Sequence, residues 1–212
     1  RIFEHACAKR RTHFISNATM LTDERAKRCV ELAPSRLGRR GFNFAGVSID
    51  GTQEVHDVIR AQRGAYERSM NGVRALARYR REAGKQCPLI HINTVIQKEN
   101  LDVLSEMPAL MKEAGADVLN LLTEMRSHDL PDLGHVDPGQ FGRGDIHNPH
   151  IERGRLDDAL RRTLDAAQRA GIEVRLPRMP YESVLEHYDG GYDLEEFECR
   201  AVWTNLYVGA KG

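Results

Sequence analysis

The fold of this chain is decided by the stretch FAGVSIDGTQEVHDVIR, residues 44–60. Residues 44–49 are apolar or small and predict a strand, and the turn-forming pair Asp50-Gly51 ends it. After the turn, His56 and Arg60 stand four positions apart, which places them on one face if this segment is a helix. A strand, a turn and a helix in this order indicate one β/α unit of a parallel sheet.

The same alternation continues in both directions along the chain. Apolar, β-branched runs predict strands near residues 13–16, 44–49, 89–96, 117–122 and 172–176, with a further strand at 203–208. Apolar residues at helical spacing predict helices that begin near Thr22, Ala65, Leu101 and Leu156. These units predict an α/β fold with a parallel sheet, whose chemistry belongs at the carboxyl ends of the strands.

Composition excludes several classes of protein. The 212 residues carry 31 Lys and Arg against 31 Asp and Glu, and this balance argues against a nucleic-acid partner. There is no apolar run long enough for a membrane span, so we expect a soluble, cytoplasmic protein. The chain begins with Arg1 rather than Met, and its first residues read like the end of a helix. We therefore expect it to be a piece of a longer protein.

The cysteines do not form a metal-binding motif. Cys7, Cys29, Cys87 and Cys199 are widely separated, and none belongs to a CxxC or CxxxC pair. The first three are expected to be buried free thiols.

A polar stretch at 126–154 contains several prolines and glycines and is predicted to be a long loop. A zinc site there is one interpretation of its acids and histidines. A solvated cover is the interpretation that we favour, because such a loop does not fix ligand geometry. The side chains concerned are His128, Asp129, Asp132, His135, Asp137, Asp145, His147 and His150.

Polar residues stand where the predicted strands end. Ser16 and Asn17 follow the first strand, and they fit either a ligand contact or an Asx turn into the next helix. The hydroxyl of Ser48 suits a sugar hydroxyl. The Arg60 guanidinium suits a carboxylate, to which it can donate two hydrogen bonds. The alternative is that Arg60 pairs with Asp57 on a solvated helix.

Residues 47–60, followed by Arg63-Gly64-Ala65-Tyr66, resemble the radical S-adenosylmethionine enzymes, in particular those with a SPASM or twitch extension. Residues 16–21 are similar to the end of the family's preceding strand but lack its Thr and Gly. Residues 92–96, with Asn100 beyond them, are similar to its fifth strand. The segment from Cys199 to Val208 is similar to the entry into the auxiliary-cluster region.

The resemblance implies a partial parallel (β/α) barrel, made of strands three to six of the family's barrel and the start of a C-terminal extension. It divides the chain into a barrel core at 1–125, the loop at 126–154, a further βα unit and connection at 155–198, and the start of the SPASM-like region at 199–212. The CxxxCxxC loop that holds the family's [4Fe–4S] cluster is absent from the sequence.

The resemblance also implies cofactor contacts. Ser48 would bind the ribose of S-adenosylmethionine, Arg60 its carboxylate, and Leu121 would pack against adenine. Asn93 and Ser16 are further candidates for cofactor or substrate contacts. Cys199 would be a ligand of an auxiliary cluster.

The activity implied for the full-length protein is reductive cleavage of S-adenosylmethionine at a [4Fe–4S] cluster, which yields a 5′-deoxyadenosyl radical. A peptide or a small molecule would be the substrate, and flavodoxin or ferredoxin the reductant. The alternative is a non-catalytic α/β binding module without a cluster. We expect the 212-residue piece alone to be inactive and to be poorly soluble or oligomeric.

Overall fold

The computed structural model describes residues 2–124 and 150–189. Its strands are β1 (Arg11–Ser16), β2 (Gly41–Ser48), β3 (Leu89–Val95), β4 (Val118–Leu122) and β5 (Glu173–Arg175). Its helices are α1 (Ile2–Lys9), α2 (Asp23–Glu31), α3 (Gln53–Ile59), α4 (Ala65–Glu82), α5 (Met107–Glu113), α6 (Arg153–Ala170) and α7 (Tyr181–Asp189), with a 3-10 turn at Leu101–Glu106.

The five strands form one parallel sheet in sequence order, β1-β2-β3-β4-β5. This confirms the predicted α/β fold and each of its five predicted strands between residues 11 and 175. Three predicted features lie outside the described residues. They are the strand at 203–208, Cys199 with the region 199–212, and the metal ligands proposed between 128 and 147.

The sheet has two distinct faces. In β3, Ile90, Ile92 and Thr94 are fully buried, whereas His91 and Asn93 between them are partly exposed. The buried set joins the helices in one hydrophobic core. Each large apolar side chain buried there stabilises the fold by about 1.5–3 kcal/mol. We call the opposite side of the sheet the far face.

Two helix boundaries differ from the prediction. The 101–114 helix is interrupted because Pro108 lies in the first turn of α5, and its ring would clash inside a continuous helix. The predicted loop at 126–154 ends earlier, because Glu152 accepts hydrogen bonds from the N–H groups of Gly154 and Arg155 and so caps α6.

Cys7, Cys29 and Cys87 are free thiols, as predicted. Cys7 and Cys87 are buried and Cys29 is half-buried, and burial raises the pKa of the Cys29 thiol to about 11. No described helix is long and apolar enough to cross a membrane.

Candidate functional site

Four polar side chains form a row on the far face near the carboxyl ends of the strands. In the sheet register Ser48 pairs with Asn93, Asn93 with Asn120, and Asn120 with Arg175. Residues in register point to the same side of a parallel sheet. This set, called the polar row below, brings a hydroxyl, two amides and a guanidinium onto one surface.

The two amides of the polar row are linked. Asn120 Nδ2 donates to Asn93 Oδ1 at 2.8 Å. Gly46, two residues before Ser48, leaves room for this arrangement, because a Cβ there would lie 2.9 Å from Asn93 Nδ2 and 3.1 Å from Ile15 Cγ1. The link leaves the Asn93 N–H donors, the second N–H of Asn120 Nδ2 and the Asn120 carbonyl oxygen available to a ligand.

Arg60 is held by a buried acid that lies two residues beyond Ser48. Its Nε donates to Asp50 Oδ2 at 2.7 Å, and the Asp50 side chain is only 3% exposed. The Asp50 N–H in turn donates to His56 Nδ1 at 3.0 Å. Nη1 and Nη2 of Arg60 make no hydrogen bond with the described residues. The guanidinium is therefore oriented, with its two outer nitrogens available for a carboxylate.

Two buried polar residues, one in β3 and one just after it, fix the turn that carries Asp50. Asn100 Nδ2 donates to the carbonyl oxygens of Asp50 and Val95, both at 2.7 Å. Thr94 Oγ1 donates to the Ile49 carbonyl oxygen at 2.6 Å. These bonds lock the end of β2 to the end of β3, so the support of Arg60 is rigid.

The alternative pairing of Arg60 with Asp57 is wrong. Asp57 instead accepts hydrogen bonds from the backbone N–H groups of Gly64 and Tyr66, at the start of α4. These bonds lower the pKa of the Asp57 carboxyl, and the bond from Tyr66 has the largest effect. Sequence spacing alone did not reveal Asp50 as the partner of Arg60, because the two are ten residues apart.

The structure does not bring every candidate to the polar row. Leu121 is 1% exposed and lies on the core side, whereas Leu122, one residue on, is 40% exposed. Ser16 pairs in register with Val47, out of phase with Ser48, and its Oγ accepts the Ala18 N–H at 3.1 Å.

The turn interpretation of Asn17 is confirmed. Its Oδ1 accepts the N–H of Thr19, two residues on, at 3.2 Å, which is an Asx turn. Asn17 therefore helps to shape the connection between β1 and α2.

His91 lies two residues before Asn93 in β3 and shares the far face with it. Its ring stacks on Phe44 at 5.0 Å between centroids, and Phe44 stacks on His13 at 4.4 Å. Its buried Nε2 has no hydrogen-bond partner among residues 2–124 and 150–189. Burial, and next the charge of Arg175, lower the pKa of His91. His91 was not a candidate from the sequence, since an unpartnered nitrogen is visible only in three dimensions.

A groove lined by Arg11, His13, Leu37 and Phe44 lies at the opposite, amino-terminal edge of the sheet. We place the candidate site at the carboxyl edge nevertheless, because parallel sheets bind ligands there. Within the described part of the chain, no group of three or more His, Cys, Asp or Glu side chains is arranged to hold a metal ion.

Comparison with known proteins gives relatives by sequence, although no protein-family model matches the chain. The chain is 33% identical to the AdoMet-dependent heme synthase of Methanosarcina barkeri over 186 residues, which are 83% of this chain and 49% of that protein. It is 28% identical to the pre-heme d1 synthase of Dinoroseobacter shibae over 141 residues, which are 66% of this chain and 31% of that protein. The chain thus spans half or less of the length of these relatives.

Solved structures share the fold. Streptococcus suis SuiB bound to S-adenosylmethionine superposes with a TM-score of 0.54 at 14% identity, covering 90% of this chain and 39% of that one. SuiB bound to the precursor peptide SuiA superposes with a TM-score of 0.53 at 12% identity, covering 89% of this chain and 36% of that one. The chain therefore shares the fold of a part of SuiB.

Proposed function

We propose that this chain supplies the S-adenosylmethionine-binding part of a radical S-adenosylmethionine enzyme. The sequence relatives named for AdoMet-dependent heme synthesis support this, and so does the fold shared with SuiB. The observation that carries the proposal is the geometry of Arg60, whose Nε is held by Asp50 while its outer nitrogens point to no described partner. That arrangement suits the carboxylate of an amino-acid cofactor.

The other contacts follow from the polar row. The Ser48 hydroxyl is proposed to bind the ribose, and the free N–H groups of Asn93 a neighbouring cofactor oxygen. Because Leu121 faces the core, we assign the apolar wall for adenine to Leu122. The Ser16 hydroxyl still has a proton to donate, and it remains a candidate for a substrate contact.

Bound to a reduced [4Fe–4S] cluster, S-adenosylmethionine would supply a 5′-deoxyadenosyl radical that abstracts hydrogen from the substrate. The described residues provide binding and orientation of the cofactor. In the full-length protein, Cys199 is proposed to be an auxiliary-cluster ligand. Flavodoxin or ferredoxin is proposed to be the electron donor.

Two substrate classes follow from the comparisons. A heme precursor is our first candidate, because the heme synthase relatives are 28–33% identical to the chain over the residues matched. A peptide is the second, because SuiB binds a precursor peptide on the same fold.

The test is cofactor affinity in the full-length, anaerobically iron-loaded protein, measured by equilibrium dialysis with S-adenosylmethionine. Arg60→Ala should weaken binding about ten- to hundredfold, since a charge-assisted hydrogen bond contributes about 1.5–3 kcal/mol. Ser48→Ala should weaken it less, by about two- to tenfold, because a neutral bond contributes about 0.5–1.5 kcal/mol.

Arg60→Lys separates binding from folding, because it retains a cation for the buried Asp50 but lacks the fork. It should also weaken binding. Arg162→Ala, which removes an exposed partner of Asp158 on α6, is the control and should change nothing. Wild-type affinity in both Arg60 variants would contradict the proposal. Absence of binding and of 5′-deoxyadenosine in the wild type would favour the non-catalytic binding module.

A further inference from the structure

The polar row continues beyond the residues assigned to the cofactor. From Ser48 the register passes through Asn93 to Asn120 and Arg175, so that Arg175 lies three strands from Ser48. Adjacent strands are about 4.8 Å apart, which separates the two ends by roughly 14 Å. The Arg175 end is therefore far enough away to contact a second molecule while the Ser48 end contacts the cofactor.

Arg175 repeats the arrangement of Arg60. Its Nε donates to Glu173 Oε1 at 2.6 Å, and its outer nitrogens make no hydrogen bond with residues 2–124 or 150–189. Its side chain is 49% exposed, so a ligand can reach it. Because both partners are exposed, the pair with Glu173 is weak and leaves the guanidinium available to a stronger ligand.

Arg175 and Asn120 together suit an anion with two oxygens. Asn120, directly opposite in the register, uses one N–H of its Nδ2 on Asn93, which holds its amide in place and leaves the second N–H to donate. His91, below them, has a lowered pKa and adds little positive charge at neutral pH. The positive charge here comes from Arg175. The Glu173 carboxylate offsets part of that charge at Nε but leaves the two outer nitrogens of the flat guanidinium, whose geometry matches a carboxylate.

We propose that Asn120 and Arg175 form a substrate subsite that binds a carboxylate group of the substrate. This inference rests on the proposed function, since it assumes that the Ser48 end of the row holds the cofactor. A heme precursor and a peptide can both present a carboxylate, so the experiment has one arm for each source.

The first arm titrates the full-length protein with hemin, which has two free propionates, and with hemin dimethyl ester, in which they are blocked. Arg175→Gln should weaken hemin binding about tenfold and leave binding of the ester unchanged. Asn120→Asp, which places a negative charge in the subsite, should also weaken hemin binding. Arg162→Gln, whose Nε also bonds a carboxylate and whose exposure is similar, should change neither titration.

The second arm uses calorimetry with N-acetylated, C-amidated Ala-Glu-Ala and Ala-Gln-Ala. If Arg175→Gln weakened binding of the Glu peptide only, this would support the subsite and assign it to peptides. The inference would be overturned if Arg175→Gln left the binding of hemin and of the Glu peptide unchanged. It would also be overturned if the variant weakened binding of the hemin ester and the Gln peptide equally. S-adenosylmethionine affinity, measured in parallel, should be unchanged in Arg175→Gln. If the wild-type protein failed to bind S-adenosylmethionine, the proposed function would be overturned, whereas the carboxylate comparison would still stand.

Discussion

At the scale of single residues, the site depends on acids that orient arginines. Asp50 and Glu173 each bind an arginine at Nε, which turns a flexible side chain into a fork with a set direction. The two pairs differ in burial, because Asp50 is 3% exposed and the Glu173 side chain is 56% exposed. Arg60 is therefore the more rigidly placed of the two.

Gly46 is a residue at which space, rather than backbone conformation, requires glycine. A Cβ there would lie 2.9 Å from Asn93 Nδ2, so Gly46→Ala must displace the Asn93 amide. Losing one neutral hydrogen bond to the cofactor should lower S-adenosylmethionine affinity about two- to tenfold in equilibrium dialysis of the full-length protein. In an Asn93→Ala background the same substitution should cost nothing more. An additional loss there would show that Gly46 acts by another route.

The residues of the site were only partly predictable from the sequence. Ser48 and Asn93 were candidates because they stand near predicted strand ends, and Arg60 because of its spacing from His56 and the family resemblance; their cofactor roles stay predictions. Asn120 and Arg175 were missed, since their membership of the polar row depends on the register of β4 and β5. Leu121 faces the core and Leu122 the far face, because successive residues of a strand point to opposite faces.

At the scale of elements, Asp57 joins α3 to α4. It accepts the N–H groups of Gly64 and Tyr66, which are otherwise unpaired at a helix start. Its pKa is lowered from the ordinary value of 3.8, so the ionised form stabilises the fold above that pH, and this stabilisation is lost as pH falls through the lower folded value.

Asp57→Asn should therefore lower the thermal midpoint of unfolding at pH 7, with the difference from wild type shrinking below about pH 4. Circular dichroism melts of the full-length protein between pH 3 and pH 7 measure it. Asp158→Asn, in an exposed pair with Arg162, is the matched control and should change the midpoint little. Equal midpoints for wild type and Asp57→Asn at pH 7 would contradict this role.

The elements themselves followed closely from local chemistry. The helix predicted to begin near Thr22 is α2, and the Thr22 hydroxyl caps it by accepting the Arg25 N–H. The apolar, β-branched run at 89–96 predicted β3, and the alternating burial of its residues then shows the two faces of the sheet. What the pattern missed was the interruption at Pro108, because the apolar spacing of 101–114 continues across it.

At the scale of the whole molecule, the described sheet ends in two edge strands, β1 and β5. β1 pairs only with β2 within this sheet, and its far face carries Ile15, which is 66% exposed. Leu122 adds a second exposed apolar side chain to that face. In a closed (β/α) barrel such residues point inward and edges are paired, so this surface has the character of an interior.

We therefore predict that the 212-residue chain, expressed alone, self-associates through β1 and the far face. Size-exclusion chromatography with light scattering should show oligomers, and Ile15→Lys should shift them toward monomer, because a charge on an exposed edge disfavours pairing. Val58→Lys, at another exposed apolar residue, 73% exposed on α3, is the control and should leave the oligomers unchanged.

Anaerobic reconstitution of the same chain should yield neither bound iron and sulfide nor 5′-deoxyadenosine with a strong reductant. The physical reason is that its sequence has no CxxxCxxC loop to hold the main cluster through three thiolates. A monomer that carries about four irons and produces 5′-deoxyadenosine would contradict this expectation. It would then assign cluster binding to the widely spaced cysteines, whose substitution by serine, one at a time, would identify the ligands.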